Sequence, residues 1–112
     1  DLINEIDRIA QSTTFNGVRL LDGTGSTITF QVGTGTTTGI DTIQLSTSDT
    51  LASTLGLSTL DIGSGGNPSL AITSLDTAIN AVSRVRGQFG AAQNRLTTTI
   101  ANLQIQSENL SA

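Results

Sequence analysis

Large apolar side chains recur every seven residues, without a break, through the last third of the chain. Six positions share this spacing: Leu75, Val82, Phe89, Leu96, Leu103 and Leu110. A seven-residue repeat keeps one face of an α-helix apolar over many turns, and it is typical of helices that pack in coiled-coil-like bundles. We therefore predict a long C-terminal helix over residues 68–112, with these six side chains as its packing seam.

The start and the length of this helix constrain the molecule further. Pro68 follows a turn-forming Gly65-Gly66-Asn67 segment, and proline is favoured at the first helical position because its missing N–H would have no partner there. At about 1.5 Å per residue the helix would extend roughly 65 Å, whereas a compact domain of about 100 residues has a radius of gyration near 13 Å. We predict an elongated molecule whose apolar stripe partly faces other chains or segments.

The composition changes along the rest of the chain. Residues 1–10 have the pattern of a helix end, since Leu2, Ile6 and Ile9 fall at helical spacing, with Ile3 beside them on the same face. Between Thr24 and Gly66, 26 of 43 residues are Gly, Ser or Thr, and such low complexity taken alone favours disorder. A second signal, the alternation of side chains, decides against disorder in this region.

Residues 28–32 alternate apolar and polar side chains, and residues 42–45 do so again. The turn-rich stretch Gly33–Gly39 lies between them, so we predict a β-hairpin with a long loop. Asn16-Gly17 predicts a tight turn before another short strand, and the apolar cluster Leu51–Ile62 predicts a helical turn with an irregular connector. The predicted fold class is α+β: a long helix in a coiled-coil-like bundle and a small β-hairpin region.

The composition removes most catalytic chemistry. The chain has no His, no Cys and no Lys, so imidazole, thiolate and amine groups are all missing. These are the side chains that most often serve as general bases, activated nucleophiles and metal ligands. Gly33-Thr34-Gly35 lacks the lysine of a phosphate-binding loop and is better read as a turn. We predict no enzyme, no catalytic residue, no cofactor and no metal.

The charge excludes two further classes of partner. Five Arg stand against nine Asp and Glu, and the aromatic side chains are three Phe. A nucleic-acid-binding domain usually has a basic face with interspersed rings, so no nucleic acid is expected. No apolar run approaches the roughly 20 residues needed to span a bilayer, so no membrane insertion is expected.

Motifs near both ends of the chain resemble the flagellin family. Leu2–Ala10 and Thr14–Gly17 are similar to that family's helix end and its Phe-Asn-Gly turn. Leu75–Ile79, Gly90–Leu96 and Ser107–Ala112 look like successive parts of its C-terminal core helix. The resemblance covers most of the chain in one order.

The resemblance implies that residues 1–112 are a fragment of the flagellin core domain, usually called D1. It would comprise a helix end (1–10), a segment with turns, hairpin and connector (11–67) and the long helix (68–112). Flagellins also have terminal helices that form the inner tube of the filament and two helical segments upstream of the part matched here. We expect both sets to be missing from this chain.

The family implies a structural function. Copies would polymerise through helical core packing into the extracellular flagellar filament used for motility, after export without a cleavable signal peptide. The partners would be other flagellin subunits. The alternative is a flagellin-like adhesin or a receptor-binding module, and Toll-like receptor 5 is the innate receptor that recognises flagellin. The resemblance implicates Arg95, Phe89 and Ile79 in that recognition.

The packing seam is directly testable. Replacing Leu96 with Asp places a charge in the middle of the seam, where burial without a partner is unfavourable. We expect this substitution to abolish helix packing and to lower the thermal unfolding temperature. Unchanged thermal unfolding of the variant would contradict the heptad argument.

Overall fold

The computed structural model describes residues 1–37 and 40–112, so Gly39, the last residue of the predicted hairpin loop, lies outside the described residues. The elements follow in the order α1 (Leu2–Ser12), β1 (Thr14–Phe15), β2 (Val18–Arg19), β3 (Ile28–Gln31), β4 (Thr42–Leu45) and α2 (Pro68–Ser111). β1 pairs with β2 and β3 with β4, both antiparallel. The α+β class, the long C-terminal helix and the hairpin are thus confirmed.

The contacts divide the chain into two units. The first comprises residues 1–26 and 47–85, and the second comprises residues 27–46 and 86–112. Helix α2 has 44 residues and contributes its first part to one unit and its remainder to the other.

Helix α1 begins the first unit, and the Asp1 side chain caps it by accepting a hydrogen bond from the backbone N–H of Ile3 at 2.8 Å. Ile3 and Ile6 pack against the core of the unit. Leu2 and Ile9, which the sequence pattern placed on the same apolar stripe as Ile6, are exposed instead. The predicted apolar face therefore has one packed side, at Ile3 and Ile6, and one exposed side, at Leu2 and Ile9.

A tight turn joins β1 to β2, as predicted. Phe15 pairs with Val18, so the two turn residues are Asn16 and Gly17. Both have positive φ, +53° and +79°. Two consecutive residues in this region are the requirement of a type I′ hairpin turn, which Asn-Gly satisfies at low steric cost.

The core of the first unit lies between the connector and helix α2. Ala52, Leu55 and Leu57 from the connector are buried together with Ala78 of α2. The backbone N–H of Leu55 donates to the carbonyl of Leu51 at 2.9 Å, which closes a single helical turn of the kind predicted there. Ala71, one heptad before Ala78, is also buried. Helix α2 therefore meets the connector through small side chains.

A polar contact ties α1 to this connector. The Asp7 carboxylate accepts a hydrogen bond from the backbone N–H of Ala52 at 2.7 Å, and Ala52 is only 1% exposed. A buried N–H without an acceptor is destabilising. The Asp7 carboxylate is the hydrogen-bond acceptor for this N–H.

Asp22 organises the turn that follows β2. It is 5% exposed, and its Oδ1 accepts hydrogen bonds from the backbone N–H and the hydroxyl of Thr24 at 3.0 and 2.7 Å. Its Oδ2 accepts one from the Arg19 guanidinium at 3.0 Å. These bonds hold the pKa of Asp22 below its ordinary value, with the Thr24 hydroxyl as the largest cause and Arg19 as a smaller one.

The second unit contains the hairpin of β3 and β4. Ile28 lies opposite Leu45, and Gln31 lies opposite Thr42. Along β3 the side chains alternate between half-buried and exposed, and Ile43 on β4 is buried. Burial of alternate side chains explains why this Thr-rich segment forms strands.

Removing the Asp7 carboxylate tests the contact between α1 and the connector. Asp7→Ala leaves the N–H of Ala52 unpaired, so we expect the free energy of unfolding to fall by about 1–3 kcal/mol. Asp7→Asn keeps a carbonyl oxygen in place and should cost less. Chemical denaturation measures both, with Asn4→Ala on the exposed side of α1 as the control. Equal losses for the two Asp7 variants would contradict the assignment.

Asp22 predicts a specific pH dependence. Because its pKa is lowered in the folded state, its contribution to stability is present above the unfolded value of about 4 and disappears as the pH falls through the folded value. The stability difference between the wild type and Asp22→Asn should therefore be largest near neutral pH and shrink below about pH 4.

A pH titration of the Asp22 carboxyl followed by carbon-13 NMR can show which neighbour lowers its pKa most. Thr24→Val should raise the pKa of Asp22 more than Arg19→Gln does. A larger rise in the Arg19 variant would contradict the ranking.

Candidate assembly surface

Within the first unit, helix α2 has a second apolar face beside the one that meets the connector. Its members are spaced by three, four and three residues, which places them on one side of the helix. They are Ile72, Leu75, Ile79 and Val82, which we call the outer stripe. All four are exposed, Ile72 to 62% and Ile79 to 61%. Aligned large apolar side chains at such exposure form a candidate surface for contact with another molecule.

The predicted packing seam can now be compared with the structure. Leu75 and Val82 belong to the outer stripe, Phe89 and Leu96 are half-buried, and Leu103 and Leu110 are exposed. The described part of the chain buries none of the six. Helix α2 instead packs against its own chain through alanines at neighbouring positions. A role of the seam in packing against other chains stays a prediction.

The end of α2 is exposed throughout. Residues 101–112 have no buried or half-buried side chain, and Leu110 is 89% exposed. Ile100 and Ile105 add two further large apolar side chains to this exposed segment.

The three residues implicated in receptor recognition lie in different environments. Ile79 is on the outer stripe of the first unit. In the second unit Phe89 is half-buried and Arg95 is exposed. Nothing in the structure bears on a receptor, so these assignments stay predictions.

The second unit contains a groove that the sequence did not predict. We call it the hairpin groove. It has a volume of 530 Å³. One wall comes from the hairpin and its loop and the other from α2, and the lining includes Val32, Ile40, Ile43, Asn94, Arg95 and Asn102. The two walls are distant in sequence, so the only available signal was the four-residue spacing of polar side chains on the helix.

The positive charges divide into paired and unpaired groups. Arg8 pairs with Glu5 within α1, and its hydrogen bond lowers the pKa of Glu5. Arg19 pairs with the buried Asp22. The remaining cations, Arg84, Arg86 and Arg95, form no ion pair with any residue in ranges 1–37 and 40–112.

The described residues lack two other kinds of site. They hold no group of three acidic side chains arranged to bind a metal ion. In the same ranges no helix combines the length and the apolar character that crossing a bilayer requires.

Comparison with known proteins gives consistent matches. The model of the bacterial flagellin C-terminal helical region matches residues 72–112. The chain is 44% identical to the flagellin-like protein YvzB of Bacillus subtilis (strain 168), covering 99% of this chain and 69% of that protein. It is 41% identical to the flagellin of Halalkalibacterium halodurans and 32% identical to the flagellar filament 30.7 kDa core protein of Treponema maltophilum.

The last two matches again include 99% of this chain, which spans 40% and 43% of those longer proteins. The match to YvzB extends over more than two thirds of that relative. This chain therefore belongs to the flagellin family.

Proposed function

We propose that this chain is part of a structural subunit of the bacterial flagellar filament and that it polymerises with further copies through the exposed faces of α2. The observation that carries the proposal is the outer stripe, four large apolar side chains that the chain does not cover, in a member of the flagellin family. Burying them against other helices would contribute about 25 cal/mol per Å² of apolar surface.

The relatives support a structural role in a polymer. They are named as flagellins and as a flagellar filament core protein, and these names give the adhesin alternative no support. A filament arises when a subunit uses two different surfaces in a head-to-tail contact that does not close into a ring. On this proposal the chain lies in the extracellular flagellar filament and carries out no catalysis. Export without a cleavable signal peptide remains part of the proposal.

The outer stripe can be tested with two neighbouring positions. Ile79→Asp places a charge on the stripe, whereas Asn80→Asp places the same charge one residue along the helix and off the stripe. The thermal unfolding of the monomer should be unchanged in both variants because both side chains are exposed. We expect the critical concentration for filament formation of Ile79→Asp to rise by at least about tenfold, which corresponds to about 1.4 kcal/mol.

The measurement is electron microscopy with quantitative sedimentation of the full-length protein under assembly conditions. Asn80→Asp should assemble like the wild type. If Ile79→Asp forms filaments at the wild-type concentration, the outer stripe takes no part in the assembly contact. A full-length wild-type protein that stays monomeric would contradict the structural-subunit function itself.

A further inference from the structure

The two walls of the hairpin groove differ in chemistry. The hairpin wall is apolar, with Val32, Ile40 and Ile43. The helix wall also contains the apolar Leu103, but it carries polar side chains every four residues, at Asn94, Thr98, Asn102 and Gln106. Successive members of this row are about 6 Å apart along the helix. All four of these residues are exposed, so their polar side chains are accessible to another molecule.

An extended polypeptide fits such a groove. Its side chains point alternately to opposite sides, and its two-residue repeat of about 6.6–6.8 Å is close to the spacing of the polar row. An apolar side chain can then face the hairpin wall while its sequence neighbour faces α2. The amides of the row can bind the peptide backbone, as exposed strand edges do in other complexes.

Arg95 indicates which charge a polypeptide bound in the groove should carry. It is the charged residue that lines the groove, and it forms no ion pair within the described ranges. A carboxylate beside it would gain a charge-assisted, geometrically defined pair of hydrogen bonds. The occupant should therefore carry an acidic side chain directly next to an apolar one.

The connector of the chain itself provides such a segment. Residues 60–62 belong to no helix or strand, and Ile62 is 71% exposed. Asp61, beside it, is exposed, and its Oδ1 accepts the N–H of Gly63 at 2.8 Å, which leaves Oδ2 available. Of the exposed large apolar residues in the described irregular segments, Ile40 also adjoins an acid, but it already lines the groove.

We propose that the hairpin groove of one subunit receives the Asp61-Ile62 segment of a second copy of this chain. Asp61 pairs with Arg95, and Ile62 packs against Val32 and Ile40 of the apolar wall. The inference rests on the proposed filament function, and it specifies one of the contacts between subunits. It is separate from the outer stripe, which lies on the first unit.

A charge exchange in the full-length protein tests the pairing during assembly. Arg95→Glu and Asp61→Arg should each raise the critical concentration for filament formation about tenfold, because each places like charges together. The double variant restores opposite charges in reversed order and should return to within about twofold of the wild type. Arg84→Glu, an equal charge change at an exposed helix position outside the groove, is the matched control.

Two outcomes would overturn the pairing. One is a double variant that assembles no better than the poorer single variant. The other is an Arg84→Glu protein as impaired as Arg95→Glu, since net charge alone would then explain the effect.

A binding experiment separates this inference from the filament function. A synthetic peptide of residues 57–66 added to the full-length protein should shift the NMR amide signals of Asn94 and Asn102. The peptide carrying Asp61→Arg should lose this effect on the wild type and regain it on Arg95→Glu. Absent shifts would overturn the groove assignment even if filaments form, and shifts with the expected charge preference would support it even if filaments do not form.

Discussion

Helix α2 contacts its own chain through small side chains, and the other features of the first unit depend on that contact. Ala71 and Ala78 are buried, and Ala78 packs among Leu55 and Leu57 of the connector. Small residues allow the helix backbone to come close to the connector. The large apolar side chains of the same helix then lie on the neighbouring face, because residues three or four apart share a side. One helix thus provides a core contact and, in the outer stripe, an apolar surface for other molecules.

The Gly-, Ser- and Thr-rich middle of the chain has few large side chains, and its order comes from specific hydrogen bonds. Asp7 accepts the N–H of Ala52, and Asp22 accepts three hydrogen bonds from Thr24 and Arg19. The hydroxyl of Thr50 donates to the carbonyl of Leu21 at 3.2 Å. Each bond satisfies a backbone group or fixes a turn, and each is modest in net free energy. Such a region is stable only while its neighbouring helices remain packed.

The distribution of charge complements these apolar surfaces. The chain has a net charge of −4, yet its unpaired cations, Arg84, Arg86 and Arg95, lie within twelve residues of α2. Exposed acidic side chains lie outside this stretch, at Asp61 in the connector and at Asp76 and Glu108 on α2. In the proposed filament, opposite charges on different surfaces of one subunit would favour contacts between unlike surfaces of neighbouring copies, and they would select the register of those contacts more than they add affinity. Contacts between unlike surfaces are those that propagate into a filament.

The sequence by itself determined the elements whose signals are local. The heptad spacing predicted the long helix, Asn16-Gly17 predicted the tight turn, and alternation predicted the β3–β4 hairpin. The absence of His, Cys and Lys limited the chemistry available, and the motifs at both ends indicated the family before any fold was known. Periodicity alone could not show which apolar residues of each helix would be buried: Ile3 and Ala78 pack in the core, whereas Leu2 and Leu75 are exposed.

Only the tertiary structure decided that choice, because burial depends on which distant segment covers a face. The connector covers the alanine face of α2 and leaves the leucine and isoleucine face exposed. The hairpin groove likewise exists only because Ile43 and Asn94, about fifty residues apart in the chain, line the same space. Local spacing sets the kind of element, and long-range packing sets which of its surfaces remains available to a partner.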